Sequence, residues 1–388
     1  MFEWLCFLNM WVMIFAVGLL YMAMLPHVAK EQILKRFFSA MIVGITTWLL
    51  IGYPLAFNDG NGFIGYWSLG WLKLFTESII NPSMIKEMFV QLCFCLYAIT
   101  MLIGGIIDRC RIRDLCFIIT IWIVGCYAPL AHMIWTKEGW LAQLGVIDYS
   151  GALVVHLSAG FVAYLFAWLF SPPSEDAREI PKDYPWQFIS SILIAFGWFA
   201  FNMAPAKGFN NEAMLALLNS MISIVIGVIV MGIVGYFSHR RIQLSDLCDG
   251  MICGLVTSTS AVGIVSPFKV MVICGVSCLT INWSQRHLLS RISIYDSVDS
   301  FSMNGIGGAM SALVCGLMFS GQQVERQLVG IVVTIALGSF IFGLLKCFVR
   351  YLENHLNQES IYDTLLSAER PYGKGGDVNR VRSGTKQL

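Results

Sequence analysis

The 388-residue sequence is too apolar for a soluble domain, since 57% of its residues are hydrophobic and 13% are charged, against about a quarter charged in soluble proteins. A formal net charge of +1 gives no basis for binding nucleic acid. The twelve cysteines lack the paired spacing of a zinc site or a disulfide framework. The composition predicts an integral membrane protein with no metal and no cofactor.

Long apolar segments separated by short polar loops predict an all-α integral membrane protein with eleven transmembrane helices. The first apolar segment is long enough to span a bilayer and lacks the basic start and cleavage motif of a signal peptide, so we expect a retained helix. The predicted helices cover residues 4–25, 35–57, 88–107, 114–135, 148–171, 184–204, 212–237, 248–265, 268–288, 299–319 and 327–352.

An odd number of crossings places the two termini on opposite sides of the membrane. The loops of one side contain twelve Lys or Arg residues and those of the other side six. Because positive charge marks the cytoplasmic side, we expect an N-terminus outside and a C-terminus in the cytoplasm, in a cell (inner or plasma) membrane. The loop from residue 58 to about 86 is expected to form part of an outer rim.

The polar stretch 171–183 lies at the midpoint of the chain and indicates two halves. Asp148 precedes His156 by eight residues, and Asp296 precedes Asn304 by the same eight. Eight helical residues rise about 12 Å, so both inner residues are predicted near the bilayer middle, approached from opposite faces. Such a pattern is typical of inverted repeats in transporters. We predict a transmembrane domain over 1–352, with two inverted five-helix repeats (about 1–171 and 184–319) and a final helix (about 327–352), followed by a mobile tail, 353–388.

His156 is an ionisable residue at membrane depth, which by default indicates a functional site. It either lines a pore, where it binds a polar solute or relays a proton, or makes an interhelical hydrogen bond that only fixes packing. Asp148 lies about 12 Å and roughly 80° away along a helix, too far to pair with His156, and is better explained as a helix N-cap. No nucleophile is positioned beside His156, so an enzyme is not expected.

Three aromatic residues near the predicted outer half have two interpretations each. Trp135 belongs either to the interfacial tryptophan belt or to a cation-π site in an outer vestibule. Phe94 and Phe201 either face lipid or stack as a pair that closes a narrow pore to water and ions.

Several stretches resemble the ammonium transporter (Amt/Mep/Rh) family. Residues 128–135 (APLAHMIW) followed by 148–156 (DYSGALVVH) match its signature. The resemblance continues in 52–57 (GYPLAF), 197–202 (GWFAFN) and 296–308 (DSVDSFSMNGIGG).

The resemblance implies an eleven-helix homotrimer with one narrow hydrophobic pore in each subunit. Trp135 would be the cation-π residue of the outer recruitment site, and Asp148 the signature aspartate. Phe94 and Phe201 would be the gating phenylalanines, and His156 the first of the twin pore histidines. The implied function is ammonium recruitment outside, deprotonation near the gate, passage of ammonia and return of a proton in the cytoplasm.

Four departures from the family pattern stand out. The second pore histidine falls on Asn304, which can hydrogen-bond but not titrate. An outer-site serine falls on Pro205, and Val90 leaves the outer gate less aromatic. The tail also lacks the Gly-Leu-Asp type pattern expected for PII-type signal proteins and gives no support for such a partner. These departures motivate an alternative, an ammonium sensor or regulatory paralogue with weak or no conduction.

Overall fold

The computed structural model describes residues 1–77, 81–170, 172, 173, 175 and 180–368. Within them the fold is helical, and the one β-type contact is an isolated bridge between Gly60 and Gly65. The long helices are α1 Phe2–Met24, α2 Lys30–Phe57, α3 Pro82–Gly104, α4 112–135, α5 Ala152–Leu169, α6 Tyr184–Met203, α7 Asn211–His239, α8 Leu244–Ser258, α9 Pro267–His287, α10 Phe301–Phe319 and α11 Gly321–Ala368.

Ten of these helices are, within the described part of the chain, long and apolar enough to cross a membrane. The exception is α8, which was predicted over 248–265 and instead has 15 residues and ends at Ser258. Hydroxyl groups explain this early end, because Ser258 donates to the Leu255 carbonyl and Thr259 to the Val256 carbonyl. Such local bonds give the backbone an alternative to continuing the helix.

Wide π-helical turns occur at four places in the described part of the chain. Two of them, Ala152–Leu157 and Phe301–Ile306, form the first turns of α5 and α10. The predicted starts at 148 and 299 therefore lie before the helical residues. Single π-helical turns are frequent at functional sites in other proteins, and these two contain His156 and Asn304.

Glycines allow α5 and α10 to cross in close contact. A Cβ on Gly160 would overlap the Gly305 nitrogen and lie 2.9 Å from the Cβ of Asn304. A Cβ on Gly308 would overlap the carbonyl oxygen of Ala152. The crossing thus brings the two π-helical turns together without intervening side chains.

The loop after α2 is fastened to the helices by side chains. Both ring nitrogens of His132 lie within hydrogen-bonding distance of carbonyl oxygens, 3.0 Å from Ala56 and 2.7 Å from Asn61. The indoles of Trp67 and Trp71 donate to the carbonyls of Leu50 and Leu49, which lie within α2. His132 of the signature region and the two tryptophans of the loop therefore hold the loop against the helices.

The last helix is longer than predicted. It was expected to end near residue 352 and ends at Ala368. No proline or glycine lies between Gly343 and Pro371, so the sequence contains no strong helix breaker over that stretch. Residues 1–345 form one compact unit, and the described residues from 346 onward fall outside it. The rest of the predicted tail, 369–388, lies outside the described residues.

Substitution at the helix crossing tests this packing. Gly308→Ala forces a methyl group against the Ala152 carbonyl and is expected to lower stability by about 1–3 kcal/mol. Gly343→Ala is the control, because no atom lies within 4 Å of the added Cβ and alanine favours a helix. The measurement is the thermal unfolding midpoint of purified protein in detergent, and equal midpoints for the two variants would contradict the close crossing.

Candidate functional site

The starts of α5 and α10 are capped in the same manner by the carboxyl groups of Asp148, which is buried, and Asp296, which is partly buried. Asp148 Oδ2 accepts hydrogen bonds from the backbone N–H groups of Leu153 (3.1 Å) and Val154 (3.0 Å). Asp296 Oδ2 accepts from the N–H of Phe301 at 2.7 Å. The predicted capping function of Asp148 is present, but the residue directly before the helix is Gly151, with φ of 96°. The aspartate reaches over a left-handed turn that favours glycine.

His156 and Asn304 meet where α5 and α10 cross. The His156 Nδ1 atom lies 2.9 Å from the Asn304 Oδ1 atom, and both side chains are buried. An amide oxygen only accepts, so Nδ1 donates and the neutral ring has its lone pair on Nε2. That Nε2 atom has no partner among the described residues. The pair therefore leaves one unoccupied hydrogen-bond acceptor in an apolar interior.

A column of aromatic rings leads to this pair. The Trp135 ring contacts Phe94 at 5.6 Å between centroids, and Phe94 contacts Phe201 at 4.3 Å with a 34° tilt. The ring of Trp198 lies parallel to His156 at 5.6 Å. Phe94 and Phe201 are buried, so of the two interpretations offered by the sequence, the structure has the close pair and not lipid-facing rings.

A cavity of about 190 Å³ lies at the Trp135 end of the column. We call it the Trp135 cavity. The Trp135 indole N–H donates to the carbonyl of Asp148 at 2.8 Å, which ties Trp135 to the aspartate that caps α5. Val90 and Pro205, two of the positions that depart from the family pattern, line this cavity together with Phe94, Trp135 and Tyr149.

Two cavities lie on the other side of the pair. The first, the Asn304 cavity, has a volume of about 60 Å³ and is lined by Asn304, Asp249, Tyr97 and Tyr21 among others. The second, the Asp296 cavity, has about 340 Å³ and is lined by Asp296, Asp299 and Lys182 among others. Met24 lines both, so the two spaces are neighbours.

Asp296 lies in the loop before α10, outside the residues that span the membrane. Burial raises its pKa to about 7, the negative charge of Asp299 adds to the rise, and the N–H groups it caps and Arg109 oppose it. Below about pH 7 this capping group therefore takes up a proton.

Comparison with known proteins identifies the family. A model described as "Ammonium Transporter Family" matches residues 1–355. The chain belongs to the ammonium transporter family. This confirms the resemblance carried by residues 128–135, 148–156 and 296–308.

Relatives of this transporter family cover most of the chain. The ammonium transporter of Bacillus subtilis is 28% identical over 322 residues, which are 81% of this chain and 79% of the relative. The crystal structure of Saccharomyces cerevisiae Mep2 aligns with 25% identity and a TM-score of 0.78, covering 89% of this chain and 83% of Mep2. A structure titled "Sensor Amt Protein" shares the fold, with a TM-score of 0.81 at 21% identity over 91% of this chain and 92% of that one.

Three residues that lie beside His156 or line the Asn304 cavity were not singled out from the sequence. Tyr97 follows Phe94 by three positions, and Trp198 precedes Phe201 by three, so each lies on the same helix face as a predicted gate residue. Asp249 lies in the polar start of α8 and gave no such signal. Among the described residues no group of three His, Cys, Asp or Glu side chains is arranged to hold a metal ion.

The capping bonds of Asp148 predict a graded effect of substitution. Asp148→Ala leaves two buried N–H groups without acceptors. The free energy of unfolding is expected to fall by about 1–3 kcal/mol for each of these groups. Asp148→Asn keeps an acceptor oxygen and is expected to cost less than half as much. Thermal unfolding in detergent measures both, with Asp59→Ala in the exposed loop as the control; an Asn variant as unstable as the Ala variant would contradict the capping account.

Proposed function

We propose that this chain carries ammonium or ammonia across a membrane, through a narrow path that runs from the Trp135 cavity past Phe94 and Phe201 to His156 and Asn304. The observation that carries the proposal is the buried His156–Asn304 pair, which joins an aromatic column to cavities on its far side. A polar pair inside an apolar fold is costly, and its presence therefore indicates a function. Ammonia, a small polar solute that can donate to a nitrogen lone pair, fits the unoccupied Nε2 atom.

Entry is assigned to the Trp135 cavity. Ammonium would lie over the ring face of Trp135, since the indole N–H is already bonded to the Asp148 carbonyl. The Asp148 carboxylate adds a negative field at this end of α5, although its oxygen Oδ2 is occupied by the capping bonds. We assign recruitment to these two residues.

The aromatic pair is proposed to select the neutral molecule. Phe94 and Phe201 are 4.3 Å apart between centroids, which leaves no room for a hydrated ion without side-chain movement. An ion stripped of water in an apolar channel pays a large desolvation cost. Neutral ammonia avoids most of that cost, and Nε2 of His156 accepts a hydrogen bond from one of its N–H groups.

The membrane arrangement is part of the same proposal. We propose eleven crossings, with the short α8 as the eighth, two inverted five-helix repeats within a 1–352 transmembrane domain, and a homotrimeric assembly. Equivalent capping by Asp148 and Asp296 at the starts of α5 and α10 supports the repeats. The excess of Lys and Arg in one set of loops supports an N-terminus outside and a C-terminus in the cytoplasm of a cell membrane.

A sensor that binds ammonium without conducting it is not favoured. The Bacillus subtilis relative is named a transporter, whereas the likeness to a sensor structure is one of fold alone. Asn304 and Pro205 had motivated the sensor hypothesis. Asn304 still gives His156 a hydrogen-bond partner, and the path on both sides of the pair has cavities.

Uptake of radiolabelled methylammonium tests the function in a strain that lacks its own ammonium transporters. Wild-type protein is expected to give saturable uptake. Trp135→Ala is expected to raise the half-saturating concentration by about 2- to 30-fold, the range that a cation-π energy of about 0.5–2 kcal/mol gives. Trp283→Ala, at an exposed position, is the control; absence of uptake by well-inserted wild-type protein would contradict the proposal.

Asn304→His separates transport from sensing. If the wild-type path already conducts, replacing one hydrogen-bonding partner of His156 by another is expected to change maximal uptake by less than about threefold, as initial rates of methylammonium uptake would measure. A rise from background to strong uptake would instead mean that the wild-type path is closed and would favour the sensor.

A further inference from the structure

The Asn304 cavity contains one carboxyl group that no step described so far uses. Asp249 lies on α8 and lines this cavity together with Asn304, Met303 and the phenol rings of Tyr21 and Tyr97. Asn304 cannot take up or release a proton at physiological pH. Asp249 is thus a titratable side chain in the space that a solute enters after passing Asn304.

The Asp249 carboxylate is incompletely bonded by the protein. Its Oδ1 atom accepts one long hydrogen bond, 3.3 Å, from Nε2 of Gln187. Gln187 is 1% exposed, and its own Oε1 atom has no partner among the described residues. A carboxylate and a buried amide oxygen with spare acceptor capacity match the N–H donors of ammonium.

Three neighbouring ionisable groups make bonds of their own. Asp296 lines the Asp296 cavity and not the Asn304 cavity, and its Oδ2 atom caps α10 by accepting from the Phe301 N–H, while its Oδ1 atom has no partner among the described residues. The Tyr21 hydroxyl donates to the Thr100 carbonyl at 2.6 Å. His27 pairs with Asp108. The charged groups that act on Asp249 are Lys182, Asp299 and Asp246.

We propose that Asp249 is the proton-exchange and cation-binding residue on the far side of Asn304, an inference that rests on the proposed ammonium transport. Ammonia that has passed Asn304 takes the proton of the Asp249 carboxyl: one O–H bond breaks, one N–H bond forms, and ammonium remains paired with the carboxylate. The ion then leaves through the Asp296 cavity, and the carboxylate takes a proton from the solution on that side. The reverse sequence applies to transport in the other direction.

The test is counterflow of radiolabelled methylammonium in proteoliposomes, with equal pH on both sides, from pH 5 to pH 8. Asp249→Asn keeps the size and the Gln187 contact but cannot titrate, so we expect a rate at least tenfold below wild type and loss of the pH dependence that the carboxyl contributes. Asp249→Glu is expected to retain a titrating group and at least a third of the wild-type rate. Adding Asn304→His to Asp249→Asn is expected to restore rate, because it returns a titratable group to the same cavity.

The matched control is Asp246→Asn, one turn earlier on α8, where the side chain caps the helix by accepting from the Gln243 N–H and does not line the Asn304 cavity. It is expected to keep at least a third of the wild-type rate and a pH-dependent rate, with the profile moved slightly to lower pH because one negative charge near Asp249 is removed. Equal thermal midpoints exclude misfolding as the cause of any loss. Wild-type rate and pH profile in Asp249→Asn would overturn the inference, as would a loss that neither Asp249→Glu nor Asn304→His reverses. Failure of wild-type protein itself to transport would instead overturn the proposed function.

Discussion

A polar side chain inside an apolar fold has to find a hydrogen-bond partner, and the bond between His156 and Asn304 is the one on which the rest of this structure depends. For the two side chains to meet, α5 and α10 must cross at backbone contact, which the glycines Gly160 and Gly308 permit. The two residues lie in the π-helical turns at the starts of these helices, and Asp148 and Asp296 cap those turns. An unpaired partner at either position would cost about 1–3 kcal/mol, so stability and the geometry of the path are linked.

The same bond determines what the path can do chemically. The Nδ1–H group of His156 donates to Asn304, and the Nε2 atom keeps its lone pair. The centre of the path therefore has a free hydrogen-bond acceptor and no N–H group to spare. Asn304 does not change this by titration, unlike a histidine at the same position. Proton exchange has to take place elsewhere, and on the far side of the pair Asp249 in the Asn304 cavity provides a carboxyl group for it.

Much of the path could be predicted from the sequence because helix geometry determines it. The shared eight-residue spacing to His156 and Asn304 predicted that they lie at similar depth, and their contact agrees with it. The pairing of Phe94 with Phe201 followed from the family pattern. What could not be predicted depends on long-range contacts. The left-handed turn at Gly151, with a cap that reaches five residues ahead, has no local sequence signature.

Other misses have the same physical cause. The early end of α8 depends on hydroxyl groups that bond back to its own carbonyls, and Ser260 also donates to the Ser311 carbonyl in α10. A serine-rich apolar segment is compatible with helix or turn until that partner is known. Asp249 reads as a polar residue near a helix start, and only the packing of α1, α3 and α10 around it gives it a place in the path. The end of the last helix was predicted where the sequence becomes polar. The helix continues beyond that point, to Ala368, because no proline or glycine interrupts it.

The most direct test of the central claim is the current that follows an ammonium pulse across proteoliposomes, recorded on a solid-supported membrane. Wild-type protein is compared with the double variant His156→Leu plus Asn304→Leu, which replaces the polar pair by apolar groups of similar size and leaves the aromatic column intact. The account predicts a saturable, ammonium-dependent signal in the wild type and none above empty liposomes in the double variant. A double variant that is folded and gives the wild-type signal would contradict it.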